Sequence, residues 1–217
     1  MDIETIVEQT PDFQTILAGI SPHSRQLITG LNGSARTVYL SALFHQLTHS
    51  LLIVTDNGFH ASQLVDDLTS LLDEEQVFLF PAEEMIATEV ATSSPESRAQ
   101  RVQALNALLS DSPAVVVTSV AGARRFLPPV AQFQAATLSL AVGADIDLEV
   151  LQRQLHDMGY VKEKLVARPG DFAVRGSIVD IYPLDADYPL RLDFFDTEID
   201  TLKYFDPETQ RSVENLD

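Results

Sequence analysis

Two stretches of this chain carry residue types from which chemistry can be built. The first is Thr29-Gly30-Leu31-Asn32-Gly33-Ser34-Ala35-Arg36-Thr37. A phosphate-cradling loop reads G-x-x-x-x-G-K-[ST] between a strand and a helix, and sets backbone amides, a lysine ammonium and a hydroxyl around a nucleotide and its Mg²⁺. Counting from Gly30, the second glycine is Ala35 and the lysine is Arg36. A Cβ at Ala35 crowds the close approach of backbone to phosphate, and the planar fork of Arg36 does not replace a compact ammonium. Thr37 still suits Mg²⁺, but one ligand is not a site. Leu79-Phe80-Pro81-Ala82-Glu83-Glu84 is too loose a pattern to add metal ligands. Gly30, Gly33, Ala35, Arg36 and Thr37 therefore read as a degenerate phosphate loop that is not expected to bind ATP.

The second stretch runs from Gly170 to Pro183 and continues at Leu190-Arg191-Leu192-Asp193-Phe194-Phe195. Its two-residue rhythm puts Leu190, Leu192 and Phe194 on one side of a strand and Arg191, Asp193 and Phe195 on the other. The aliphatic-aromatic side should face a core. The opposite side holds a large apolar ring among charges, which is the composition of a protein-binding hot spot. Periodicity alone leaves open whether Phe195 meets solvent or is covered by another part of the chain.

Elsewhere the chemical signals are weaker. The five histidines are scattered; His45 and His49 stand one helical turn apart with no acidic third ligand at suitable spacing, so no metal site is expected. Asp73-Glu74-Glu75 follows a helix and reads as a solvated loop. Arg124-Arg125 is too small a cluster to hold nucleic acid against an acidic background. No nucleophile paired with a base can be picked out, so no catalytic residue is expected.

The elements that must position these stretches fall into two grammars. Residues 1–20 read as one or two short helices broken at Thr10-Pro11. Arg25 to Gly30 reads as a short strand entering the glycine turn, and Ala35 to His49 as a helix. Leu51 to Thr55, Val77 to Phe80 and Ala114 to Thr118 are short apolar runs of the kind found in buried parallel strands. Helices over Ala61 to Leu72 and from Ser94-Pro95-Glu96 to about Ser110 alternate with them. This is a parallel α/β layer. Pro128-Pro129 marks a boundary. Beyond it Thr137 to Leu140 alternates, Asp147 to Met158 is an amphipathic helix ending at Gly159, and the remainder is extended segments with polar turns. The expected fold class is α/β: a degenerate P-loop NTPase-like domain over residues 1–127, then a smaller α+β domain with an antiparallel sheet over 128–217.

Composition limits the partners. The formal charge is −18. Residues 1–127 hold six Lys/Arg against fifteen Asp/Glu and residues 128–217 eight against seventeen, so the acidity is even and not confined to a tail. Such a surface repels phosphate backbones. No apolar run approaches the roughly 20 residues that span a bilayer, so no membrane partner is expected. The acidic start lacks a signal-peptide pattern. Cysteine is absent, which excludes disulfides and suits a reducing cytoplasm.

Leu27-Ile-Thr-Gly-Leu-Asn-Gly-Ser-Ala-Arg36 resembles the ruined P-loop of the bacterial transcription-repair coupling factors, the Mfd family. Gly170 to Pro183, Arg191 to Asp200 and Phe205 to Ser212 resemble domain 2, which that family shares with UvrB. UvrB keeps the P-loop lysine where this chain has Arg36. The resemblance implies a non-catalytic amino-terminal module of a longer protein, with domain 1a before the boundary and domain 2 after it. It further implies that domain 2 binds UvrA through two arginines and a phenylalanine, which fall on Arg175, Arg191 and Phe195. It implies autoinhibitory packing against later domains of the same full-length chain. Contacts with RNA polymerase and DNA, and the ATP and Mg²⁺ of a translocating motor, would belong to those later domains, leaving no cofactor here. The resemblance places such a protein in the cytoplasm, in nucleotide excision repair. An ATP-dependent UvrB-like helicase subunit is the alternative. On this reading Arg191→Ala or Phe195→Ala abolishes UvrA binding and leaves the thermal melt nearly unchanged.

Overall fold

A computed structural model describes residues 3–82, 94–184 and 186–216. They form two compact units, residues 1–91 with 100–125 and residues 92–99 with 126–217.

In the first unit two short helices, α1 (Ile3–Glu8) and α2 (Pro11–Ala18), meet at Thr10, whose hydroxyl accepts the Phe13 amide as the cap of α2. Helix α3 (Ser34–Gln46) is buried on two sides. Tyr39, Ala42 and Leu43 pack with Phe13, while Phe44 packs with the next helix and the sheet. The strands β1 (Leu51–Thr55), β2 (Val77–Phe80) and β3 (Val115–Ser119) are parallel, in the order β1-β3-β2. The central strand β3 is buried throughout, which explains its unbroken apolar run. Its alternate residues serve the two faces of the sheet. Val115 and Val117 join Leu64 and Leu68 of α4 (Gly58–Thr69), and Val116 joins Ala104 of α5 (Pro95–Leu109). The four-residue helix α6 (Val120–Ala123) starts at Ser119, whose hydroxyl accepts the Gly122 amide.

The strand expected over Arg25 to Gly30 is not formed. Those residues are irregular and exposed, with Leu27 87% accessible. A strand needs a ladder partner. In the described sheet β3 is already paired on both sides, and residues 25–30 pair with neither edge.

The second unit contains α7 (Val130–Ala135), α8 (Leu148–Asp157) and a six-stranded sheet. Its strands are β4 (Val161–Lys162), β5 (Asp171–Arg175), β6 (Ile178–Ile181), β7 (Leu190–Phe195), β8 (Glu198–Phe205) and β9 (Ser212–Leu216), in that order. All neighbours are antiparallel except β4 and β5. Asp147 caps α8 by accepting the Glu149 and Val150 amides, and Leu151 and Leu155 bury its apolar stripe against Phe172, Val179, Leu192 and Phe194. Residues 137–140 form no strand, yet Leu138 and Leu140 still turn inward onto this core. The alternation was a burial pattern without a ladder.

Candidate partner-binding face

Strand β7 divides as its rhythm predicts. Leu192 and Phe194 are buried in the core, while Phe195 is 80% exposed. The register to β8 shifts between Asp193 and Phe194, since Asp193 pairs with Thr201 and Phe194 with Ile199. The extra residue, Asp200, is a bulge that lets Ile199 and Leu202 both face the core although three positions apart.

Two hairpins bring the candidate residues to one end of the sheet. Strands β5 and β6 turn at Gly176-Ser177, with Gly176 at φ 64°, and β7 and β8 turn at Asp196-Thr197, with Asp196 at φ 60°. The tips are tied together: the Ser177 hydroxyl donates to Asp193 Oδ1 at 3.2 Å, and the Phe194 amide to the Ser177 carbonyl at 2.9 Å. Arg175 and Phe195 are the last strand residues before their respective turns. Arg191 lies four residues back from Phe195, about 13 Å along the strand.

A residue without an expected role ties the two arginines together. Asp180, on β6, pairs across the strands with Ala173 on one side and Arg191 on the other. Its side chain is fully buried. Arg191 grips it bidentately, Nε donating to Oδ1 at 2.7 Å and Nη2 to Oδ2 at 2.9 Å, and Arg175 Nη2 donates to Oδ2 from the other side. Arg191 also donates from Nη1 to the Gln210 carbonyl at 3.2 Å and from Nη2 to Gln210 Oε1 at 3.4 Å. Its guanidinium lies 4.3 Å from the centre of the buried Phe205 ring. Asp180 holds the Arg191 charge: its hydrogen bond, helped by its negative charge and opposed by burial, moves the arginine pKa up from the ordinary value. Of five guanidinium N–H groups on Arg191, the bonds to Asp180 and Gln210 use four and leave one unbonded. Arg175 has a side chain 40% exposed and a single bond to Asp180, which leaves four of its five N–H groups unbonded. One buried anion between two cations leaves the three-residue cluster one positive charge, with the carboxylates of Asp193, Asp196 and Glu198 close by at the same end of the sheet. Aspartate is depleted in strands, so Asp180 between Val179 and Ile181 was the one available sequence signal; Gln210 and Phe205 gave none.

The phosphate-loop region leads directly into α3. Gly30 and Gly33 take positive φ, 88° and 52°. The amides of Ala35 and Arg36 are already bonded to the carbonyls of Asn32 and Gly33, at 3.2 and 3.1 Å. Ala35 and Arg36 are exposed, but Thr37, which with Gly30 keeps the loop's residue type, is buried. Glu83 and Glu84 lie outside the described residues. His45 is directed to Glu4 (Nδ1 to Oε2, 3.7 Å). Among the described residues no group of three or more metal-ligating side chains is found, and no helix is long and apolar enough to cross a membrane.

Comparison with known proteins adds what the chain is similar to. Residues 138–217 match the UvrB interaction domain. Over 216 residues, 99% of the chain, it is 40% identical to the transcription-repair-coupling factor of Bacillus subtilis (strain 168). It is 34% identical over 215 residues to the transcription-repair-coupling factor of Staphylococcus aureus (strain Mu50 / ATCC 700699). Along almost all of its own length the chain is similar to a part of the transcription-repair-coupling factors. It spans 18% of the length of each of these relatives. The stretch that matches the UvrB interaction domain covers the whole six-stranded sheet with α8, and so contains Arg175, Asp180, Arg191 and Phe195.

Proposed function

We propose that this chain is the UvrA-recruiting module of a transcription-repair-coupling factor, and that it docks UvrA through Arg175, Arg191 and Phe195. The observation that carries the reading is the exposure of Phe195 at a sheet end shared with Arg175, inside the UvrB interaction domain. An exposed ring on the same sheet end as a partly exposed guanidinium fits a pocket edged by carboxylates. UvrA is then brought to RNA polymerase stalled at a lesion, for transcription-coupled excision repair in the cytoplasm. The polymerase, the DNA and the Mg²⁺-ATP of the translocase are served by other domains of the whole protein, and packing of this module against those domains masks the docking face until the protein opens.

The first unit is a scaffold rather than an ATPase, because Arg36 replaces the lysine, the first-turn amides are internally bonded and no strand leads into the loop. Calorimetric titration of the chain with UvrA, alone and as Phe195→Ala, tests the docking. Equal binding by the two proteins refutes it. Titration with Mg²⁺-ATP tests the scaffold reading, and micromolar affinity would restore the enzyme alternative.

A further inference from the structure

Asp180 is a fully buried carboxylate with no path to a partner, yet it is the point at which both arginines of the proposed face converge. Its place follows from topology. β6 lies between β5 and β7, so an acid on this face is flanked by one residue from each, and the small Ala173 opposite leaves room for Arg175, two residues further along β5, to reach across. An isolated guanidinium on a hairpin end samples many rotamers, and binding must then order it. One that is already bonded meets its partner with less to lose.

We infer that Asp180 is a positioning residue for partner docking: it fixes the Arg175 and Arg191 guanidinium groups so that the unbonded edge of Arg175 is presented, on the same sheet end as Phe195, to a carboxylate on the partner. This rests on the docking reading above. The roles of the two arginines differ in consequence. Arg191, with one free N–H, is mainly the anchor that sets Asp180 and the turn over residues 206–210, whereas Arg175 supplies the directional contact. The partner chemistry follows from the donors: a carboxylate-bearing surface with an apolar slot, since a guanidinium edge only donates hydrogen bonds and a carboxylate accepts them in matching geometry.

The test is a double-mutant cycle on the 217-residue chain, with UvrA binding read by calorimetry and folding by thermal melt. Asp180→Asn keeps the shape but gives the arginines an amide whose N–H groups oppose theirs. Binding should weaken by about tenfold or more, with Phe195→Ala and Arg175→Ala weakening it as well. In the Arg175→Ala background Asp180→Asn should cost markedly less than it does alone; equal losses in both backgrounds would assign Asp180 a structural role only and overturn the proposal. Should Asp180→Asn not fold at the assay temperature, Arg175→Lys serves instead. It retains the charge on an exposed edge but cannot bond Asp180 and a partner carboxylate with one rigid fork, so its binding should fall as far as that of Arg175→Ala, and wild-type affinity refutes the proposal. The outcomes separate from those of the parent reading. If the wild-type chain fails to bind UvrA, the docking reading fails; if it binds, and Phe195→Ala weakens binding while Asp180→Asn does not, only the positioning role fails.

Discussion

Arg191 lies over the ring of Phe205, its guanidinium carbon 4.3 Å from the ring centre, while its Nε and Nη2 close on the buried Asp180. This makes it as much a part of the fold as of any interface. Arg191→Ala should lower stability by about 2 kcal/mol, because Asp180 keeps Arg175 but loses two of its bonds. Chemical denaturation of the variant measures this. It departs from what the strand rhythm alone predicts, an exposed arginine whose removal leaves the melt unchanged.

Phe195 behaves in the opposite way. At 80% exposure, Phe195→Ala has little packing to lose and should stay within about 0.5 kcal/mol of the parent in denaturation. Its loss of UvrA affinity should exceed about 2 kcal/mol. A large drop in stability would mean that another part of the protein covers the ring.

The first unit offers a packing test at Gly122. A Cβ built there comes within 2.3 Å of the Thr118 hydroxyl, which donates to the Phe80 carbonyl at 2.7 Å. Gly122→Ala must displace that hydroxyl and the link it makes between β3 and β2. The expected cost is about 1–3 kcal/mol, read from the denaturation midpoint.

Helix α1 is held to α3 by Glu4, which accepts the hydroxyl of the fully buried Ser41 and lies 3.7 Å from His45 Nδ1. Glu4→Ala strands that hydroxyl and should cost about 1–3 kcal/mol. Ser41→Ala on the same background should add almost nothing, since the group left unpaired is then gone. Full additivity of the two would show that they do not interact.

Acid should loosen the turn that Arg191 holds. Asp206 accepts the Thr209 and Glu208 amides, and these bonds pull its pKa below the usual carboxylate value of 3.8. Asp56 is likewise lowered, chiefly by its hydrogen bond to His60. A carboxylate with a depressed folded pKa contributes stability that is present above its unfolded pKa and lost as pH falls through the folded value. The decline is therefore expected below pH 3.8, and Asp206→Asn should flatten it in melts recorded against pH.

Much of this architecture is legible in the sequence, and the failures have a common cause. Val77 to Phe80 and the helix capped by Asp147 carry local signals strong enough to fix their ends. Arg25 to Gly30 has the composition of a strand, but strand formation depends on a neighbour that no local pattern reports. The face of Phe195 follows from period two. The burial of Asp180 and the engagement of Arg191 follow from register across three strands, which sequence spacing does not encode. Asp200 is the clearest case: a single bulged residue decides that Ile199 and Leu202 share a face.

The bond from Arg191 to the Gln210 carbonyl has a practical consequence for inhibitor design. A decoy peptide copied from the hairpin over residues 190–205 would carry Phe195 and Arg191 but neither Asp180 nor the turn that holds the arginine. Two-stranded hairpins are at best marginally stable in water, so such a peptide would present a disordered epitope. The shortest segment that retains every fixed group runs from Asp171 to Gln210, four strands and their turns. A competitor for the proposed UvrA docking is better sought as a miniature domain than as a loop mimic.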